Sequence, residues 1–157
     1  METITHNETS SLRELLDEVM VTAQVEAHRK NQLLQVQVGP DLEVDAVSDL
    51  LVDALMSLVQ NAIKFTATGG TIKVRADSVG NQAVIEVEDE CGGLKSAAPS
   101  YVFRLFEQHK IVRDASALGL KNAQRVVSLS GGVIDVKNHP GKGCIFRIRL
   151  PSRRRAR

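Results

Sequence analysis

The sequence predicts an α+β fold, a two-layer sandwich in which a mixed, mostly antiparallel sheet carries helices on one face. Two observations lead there. Segments with helical periodicity and segments that alternate like strands succeed one another in the order αβαββααββ. Neighbouring strands are mostly linked by hairpins, which disfavours a doubly wound parallel sheet.

The elements follow in order. Ser10 and Ser11 offer caps for a helix over about 12–30, with Leu12, Leu15, Leu16, Val19 and Ala23 on one face. LLQVQV (33–38) alternates like a half-buried strand, and Gly39-Pro40-Asp41 turns the chain. A second, strongly periodic helix spans about 46–65 and is stopped by Thr68-Gly69-Gly70. TIKVRAD (71–77) and QAVIEVED (82–89) form an antiparallel pair through Val79-Gly80-Asn81. A glycine turn, a short helical piece around YVFRLFEQ (101–108) and a polar stretch come next. A third helix starts near Ala117 and ends at Gly131-Gly132. GVIDVKN and GCIFRIRL are the closing strands, joined through His139-Pro140-Gly141-Lys142-Gly143.

A length of 157 residues fits one domain with a real core. Residues 1–10 read as a disordered or linker segment, 11–151 as the domain and 152–157 as a basic tail. That tail, SRRRAR, is either a solvated end or a contact for nucleic acid or an acidic partner. A formal net charge of +1 argues against a general nucleic-acid binder. No apolar run reaches the length of a membrane span, and the polar start lacks a signal-peptide core, so a cytoplasmic location is expected. The two cysteines, Cys91 and Cys144, suggest neither a disulfide framework nor a metal cluster.

Chemistry enters on the second helix. Leu51, Leu55, Leu58 and Ala62 form the stripe expected to face the sheet, while Asp53, Ser57, Asn61 and Lys64 fall together on the other side. An ordinary amphipathic helix also has a polar side. An amide oxygen one turn from an ammonium, however, can hold a divalent metal and a phosphate together. A second constellation is VIEVEDECGGL (84–94), where alternation places Ala83, Ile85, Val87 and Asp89 on one face. A buried carboxylate needs donors. For Asp89 they are either the backbone of the following turn or the amino group of a bound heterocycle.

LMSLVQNAIKFT, VEDECGGL, VFRLFEQ, ALGLKNAQRVVSLSGG and GKGCIFRIRLP resemble, in order and spacing, the N, G1, F and G2 boxes and closing glycine turn of one family. It is the ATP-binding catalytic domain of bacterial sensor histidine kinases, whose Bergerat-type fold is shared with gyrase, Hsp90 and MutL. The resemblance covers about 11–151. It implies that Asn61 coordinates Mg²⁺, that Lys64 faces phosphate and that Phe65 borders the nucleotide. Asp89 would accept a hydrogen bond from the adenine amino group. Gly93, Leu94, Leu118, Gly119, Leu120 and Cys144 would complete the nucleotide contacts, with amides at the start of the third helix facing the phosphates. Residues from about Lys95 to Ser116 would form a lid over ATP. Phe103 and Phe106 would be its anchors, ordinary core residues, or both.

The sequence also departs from the family. Cys91 stands at the first G1 glycine, either as an inert filler or as a redox-sensitive thiol. Ala115 and Ala117 stand where G2 has glycines, which predicts a looser lid. Ser57 replaces an asparagine common in the kinases and the catalytic glutamate of the related ATPases, which argues against intrinsic ATP hydrolysis but not against transfer to a histidine. His6, His28, His109 and His139 do not resemble the phosphoacceptor motif. The expected function is therefore a protein-histidine kinase domain using ATP and Mg²⁺. Its direct partner would be a separate dimerisation and phosphoacceptor domain, and its indirect partner a response-regulator receiver domain. Two alternatives are a degenerate fold kept for protein interaction and an anti-sigma-type serine kinase.

Overall fold

The computed structural model describes residues 8–40, 42–46, 48–90, 115–139 and 143–152. The elements run β1 (Glu8–Ser11), α1 (Leu12–Arg29), β2 (Leu33–Val38), β3 (Glu43–Ala46), α2 (Ser48–Phe65), β4 (Thr71–Val79), β5 (Gln82–Glu88), α3 (Ala115–Leu129), β6 (Val133–His139) and β7 (Gly143–Pro151). Five strands form one sheet in the order β2-β4-β5-β7-β6, with β2 and β4 parallel and every other neighbour antiparallel. The predicted mixed, mostly antiparallel sheet with helices on one face is the observed architecture.

Register explains why the sheet has two unlike faces. Val74 pairs with Val87, Val87 with Phe146, and Phe146 with Val136, and all four side chains are buried under the helices. One residue along, Arg75, Glu86, Arg147 and Asp135 are partners in the same way on the other face. That row alternates in sign across four strands and closes through Arg75–Glu86 (3.4 Å), Arg75–Glu88 (2.8 Å), Arg147–Glu86 (3.0 Å) and Arg149–Asp135 (2.7 Å). Period-two alternation thus sends the apolar set to the core and the charged set to water.

The helices supply the second layer. In α1, Leu12, Leu16, Val19 and Ala23 are fully buried, and Ser11 caps the helix by accepting from the Glu14 amide at 3.5 Å. Ser10 has a different role: its hydroxyl meets that of Ser48 at 2.6 Å, at the first residue of α2. α2 packs between α1 and α3.

Three boundaries differ from expectation. Residues 8–10, read as linker, pair with β3 instead, and Val44 of β3 bridges to Ser152 beyond β7. Ala46 belongs to β3, so α2 begins at Ser48 rather than at 46. Both strands are four residues long, too short for alternation to announce them. The third helix begins at Ala115, two residues early, because alanine is the best helix former.

Candidate functional site

The site is built from the last turns of α2, from the residue that follows β5, and from the start of β7. In α2 the apolar stripe behaves as expected, with Leu51, Leu55, Leu58 and Ala62 all at 0% exposure. The polar stripe does not behave as one unit. Asp53 and Lys64 are exposed, and Ser57 is half-buried with its hydroxyl donating to the Asp53 carbonyl at 3.0 Å. Asn61 is buried at 1% exposure. Its Oδ1 has no hydrogen-bond partner among the described residues. An acceptor left in that state costs about 1–3 kcal/mol, which a cation or donor brought by a ligand would relieve. One turn on, the Lys64 ammonium lies 5.7 Å from the centroid of the Phe65 ring.

Asp89 immediately follows the last residue of β5 and is 3% exposed. Its carboxylate Oδ1 accepts from the Cys144 amide at 3.1 Å, and its own amide donates to the Cys144 carbonyl at 2.9 Å. Among the described residues, β7 thus supplies a backbone donor for the acid. Gly143 makes this approach possible. A Cβ on residue 143 would stand 1.9 Å from the Asp89 carbonyl oxygen, so only glycine fits without moving one strand. Cys144 itself is buried, at 2% exposure.

A short bridge joins these two halves. The Glu90 amide donates to Thr66 Oγ1 at 3.2 Å, and the Glu90 carboxylate accepts from the Thr71 amide. Thr66 follows α2 directly, and Glu90 follows Asp89. The bridge brings the ends of α2 and β5 to one end of the sheet, the end at which β4 and β7 begin. An open groove of about 1010 Å³ on the outer face, lined by Arg13, Gln37, Arg75, Asp77, Glu86 and Arg147 among others, includes none of the predicted site residues.

Of the other residues singled out, Leu118, Gly119 and Leu120 lie within α3. Gly119 and Leu120 thus fall in the helix body rather than in a turn before it. Cys91, Gly93, Leu94, Phe103, Phe106 and the expected lid up to residue 114 lie outside the described residues. Sequence reasoning missed Thr66, Glu90 and Gly143 as parts of the site. Each nonetheless stands within a quoted motif, Thr66 closing LMSLVQNAIKFT, Glu90 in VEDECGGL and Gly143 in GKGCIFRIRLP.

The fold and these paired elements define a class. The chain belongs to the family described as histidine kinase-, DNA gyrase B- and HSP90-like ATPases, which matches residues 46–154. Within it, the chain is an ATP-binding catalytic domain of the sensor histidine kinase type. It is 32% identical over 121 residues to the circadian input-output histidine kinase CikA of Synechocystis, covering 74% of this chain and 16% of that protein. The catalytic domain of histidine kinase ThkA superposes with a TM-score of 0.81 at 25% identity, covering 92% of this chain and 94% of that one. Full-length ShkA in complex with AMPPNP gives 0.79 at 25% identity, covering 96% of this chain and 32% of that one. The chain spans less than a third of the length of the curated relatives it matches. No described helix is long and apolar enough to cross a membrane.

Proposed function

We propose that this domain binds ATP together with Mg²⁺ and donates the γ-phosphoryl group to a histidine held on a separate dimerisation and phosphoacceptor domain. The observation that carries the reading is Asn61, an amide buried near the end of α2 with an oxygen lacking any described protein partner. Asp89, buried and anchored to Cys144, supports it as the acceptor for the adenine amino group. Lys64, one turn from Asn61 and exposed, is the point charge for phosphate.

The donor set fits the metal. Among the described residues, no group of three or more His, Cys, Asp or Glu is placed to hold an ion. Asn61 would contribute one hard oxygen beside those of phosphates and water, as Mg²⁺ is usually held. When bound, the ion would neutralise charge on the phosphate oxygens. The domain's own residues orient the base, fix the phosphate chain and leave the γ-phosphorus open to the partner. An imidazole nitrogen of the acceptor then forms the new P–N bond as the bond to the β,γ-bridging oxygen breaks, and ADP leaves. Ser57, in place of a carboxylate, offers no base to activate water, which favours transfer over hydrolysis.

The working location is the cytoplasm, and a response-regulator receiver domain would take the phosphoryl group from the histidine in turn. The test is incubation with labelled ATP and an isolated phosphoacceptor domain of a sensor kinase. Acid-labile label on that domain is the expected result. Acid-stable label would indicate serine chemistry, and no label would refute the transfer.

A second reading rests on Ala115 and Ala117, which stand within α3 where the family has glycines. There the fold serves as a docking module for a receiver domain or partner kinase. Partner binding that survives Asp89→Asn unchanged, without nucleotide dependence, would favour it.

A further inference from the structure

The end of α2 is held by a device that lies in the turn between α1 and β2, remote in sequence from every motif singled out above. An α-helix ends with backbone carbonyls that have no partner inside it. Here two side chains cover them. Lys30 Nζ donates to the carbonyls of Ile63 (2.8 Å), Lys64 (3.2 Å) and Thr66 (2.9 Å). Gln32 Nε2 donates to those of Ile63 (3.0 Å), Thr66 (2.8 Å) and Ala67 (3.4 Å). Lysine suits the place twice, as a donor and as a positive charge at the negative end of the helix dipole.

The turn is shaped to deliver both. Lys30 is the C-cap of α1, and Asn31 follows in the left-handed region at φ 52°. Asparagine tolerates that conformation better than most residues. The amides of Lys30, Asn31 and Gln32 all return to carbonyls of α1, at Ala27 or His28. Two backbone bonds then lock the turn to the loop after α2: Gly69 N–H to the Lys30 carbonyl and Leu33 N–H to the Gly70 carbonyl, both 3.0 Å. Gln32 is 8% exposed, so its amide cannot exchange these partners for water without opening the fold.

We propose that Lys30 and Gln32 are positioning residues for the nucleotide site, acting through the end of α2 on Asn61 and Lys64 and through Thr66 on the segment that carries Asp89. Ile63 and Lys64, whose carbonyls they hold, lie within three residues of Asn61, and Thr66 accepts the Glu90 amide. One clamp thus keeps the metal-and-phosphate half and the base half of the site in mutual register. The inference rests on the proposed binding of nucleotide.

The test compares wild type, Lys30→Met and Lys30→Arg by titration with a fluorescent ATP analogue and Mg²⁺, well below each melting temperature, with hydrogen exchange read at 61–67. Lys30→Met is expected to weaken binding roughly tenfold, as befits a lost charge-assisted hydrogen bond, and to speed exchange at the end of α2. Lys30→Arg is expected to restore both. If Lys30→Met does not fold, Lys30→Gln, with a neutral donor, is expected to show the same changes at smaller size. A folded Lys30→Met or Lys30→Gln that binds as tightly as wild type overturns the inference alone. So does lost affinity that Lys30→Arg leaves unrescued. A wild-type chain that binds no nucleotide ends the underlying reading, and this inference with it.

Discussion

Replacing Asp89 by asparagine separates the acid's structural task from its proposed recognition task. The side chain is 3% exposed and accepts from the Cys144 amide at 3.1 Å. An asparagine oxygen accepts that same bond, so Asp89→Asn should shift the melting temperature by only a few degrees, the equivalent of about 1 kcal/mol or less. Binding is another matter. The substitution replaces a carboxylate oxygen by an amide NH₂, which would meet the adenine amino group donor to donor. A hydrogen bond to a charged group contributes about 1.5–3 kcal/mol, so the dissociation constant should rise by about 10–100-fold. Asp89→Ala serves as the contrast, because it also strands the buried Cys144 amide and should lower stability by about 1–3 kcal/mol. The assay is calorimetric titration with ATP, paired with urea unfolding of each variant. An Asn variant that binds within twofold of wild type, or that loses stability as severely as the Ala variant, would refute this assignment.

Three other outcomes follow from the same geometry. Asn61→Ala should abolish the gain in nucleotide affinity that Mg²⁺ confers, since it removes the buried Oδ1; titrations with Mg²⁺ and with EDTA measure the difference. Gly143→Ala places a methyl group where Asp89's carbonyl oxygen lies 1.9 Å away, so it should lower stability by about 1–3 kcal/mol and weaken nucleotide binding as Asp89 is displaced. On the outer face, the hydrogen bond from Arg75 to Glu88 holds the guanidinium above the usual arginine range, aided by the charges of Glu88 and Glu86 and opposed by partial burial. A raised pKa gives stability that is complete below the unfolded value and lost only as pH climbs past the folded one. For arginine both lie far above neutrality, so the contribution should stay constant throughout the neutral range. Arg75→Met should cost about 1 kcal/mol or less, because all three side chains are partly exposed and water screens them. The difference should shrink in high salt.

The core sheet and its helices were legible because their periods are long and clean. QAVIEVE alternates through seven residues, and α2 carries the stripe Leu51, Leu55, Leu58 and Ala62 through about three turns, so face and type follow directly. β1 and β3 escaped because four residues hold too little pattern and their pairing is decided by contacts distant in sequence. Asn61 and Asp89 could be picked out as residues, but not their surroundings. Helical periodicity put Asn61 among polar neighbours on the solvent side, whereas the folded chain buries it. The acid's partner on β7 lies 55 residues away, beyond the reach of local turn chemistry. Lys30 and Gln32 were invisible for a related reason. A lysine and a glutamine at the end of a helix look like solvated side chains until the fold brings another helix's carbonyls to them.

Calorimetric titration of the wild-type chain with ATP tests the central claim most directly, run once with Mg²⁺ and once with EDTA. The account predicts saturable one-to-one binding in the micromolar-to-millimolar range, tighter with the metal than without it. A flat titration in both conditions, from a chain whose circular dichroism shows it folded, would contradict it.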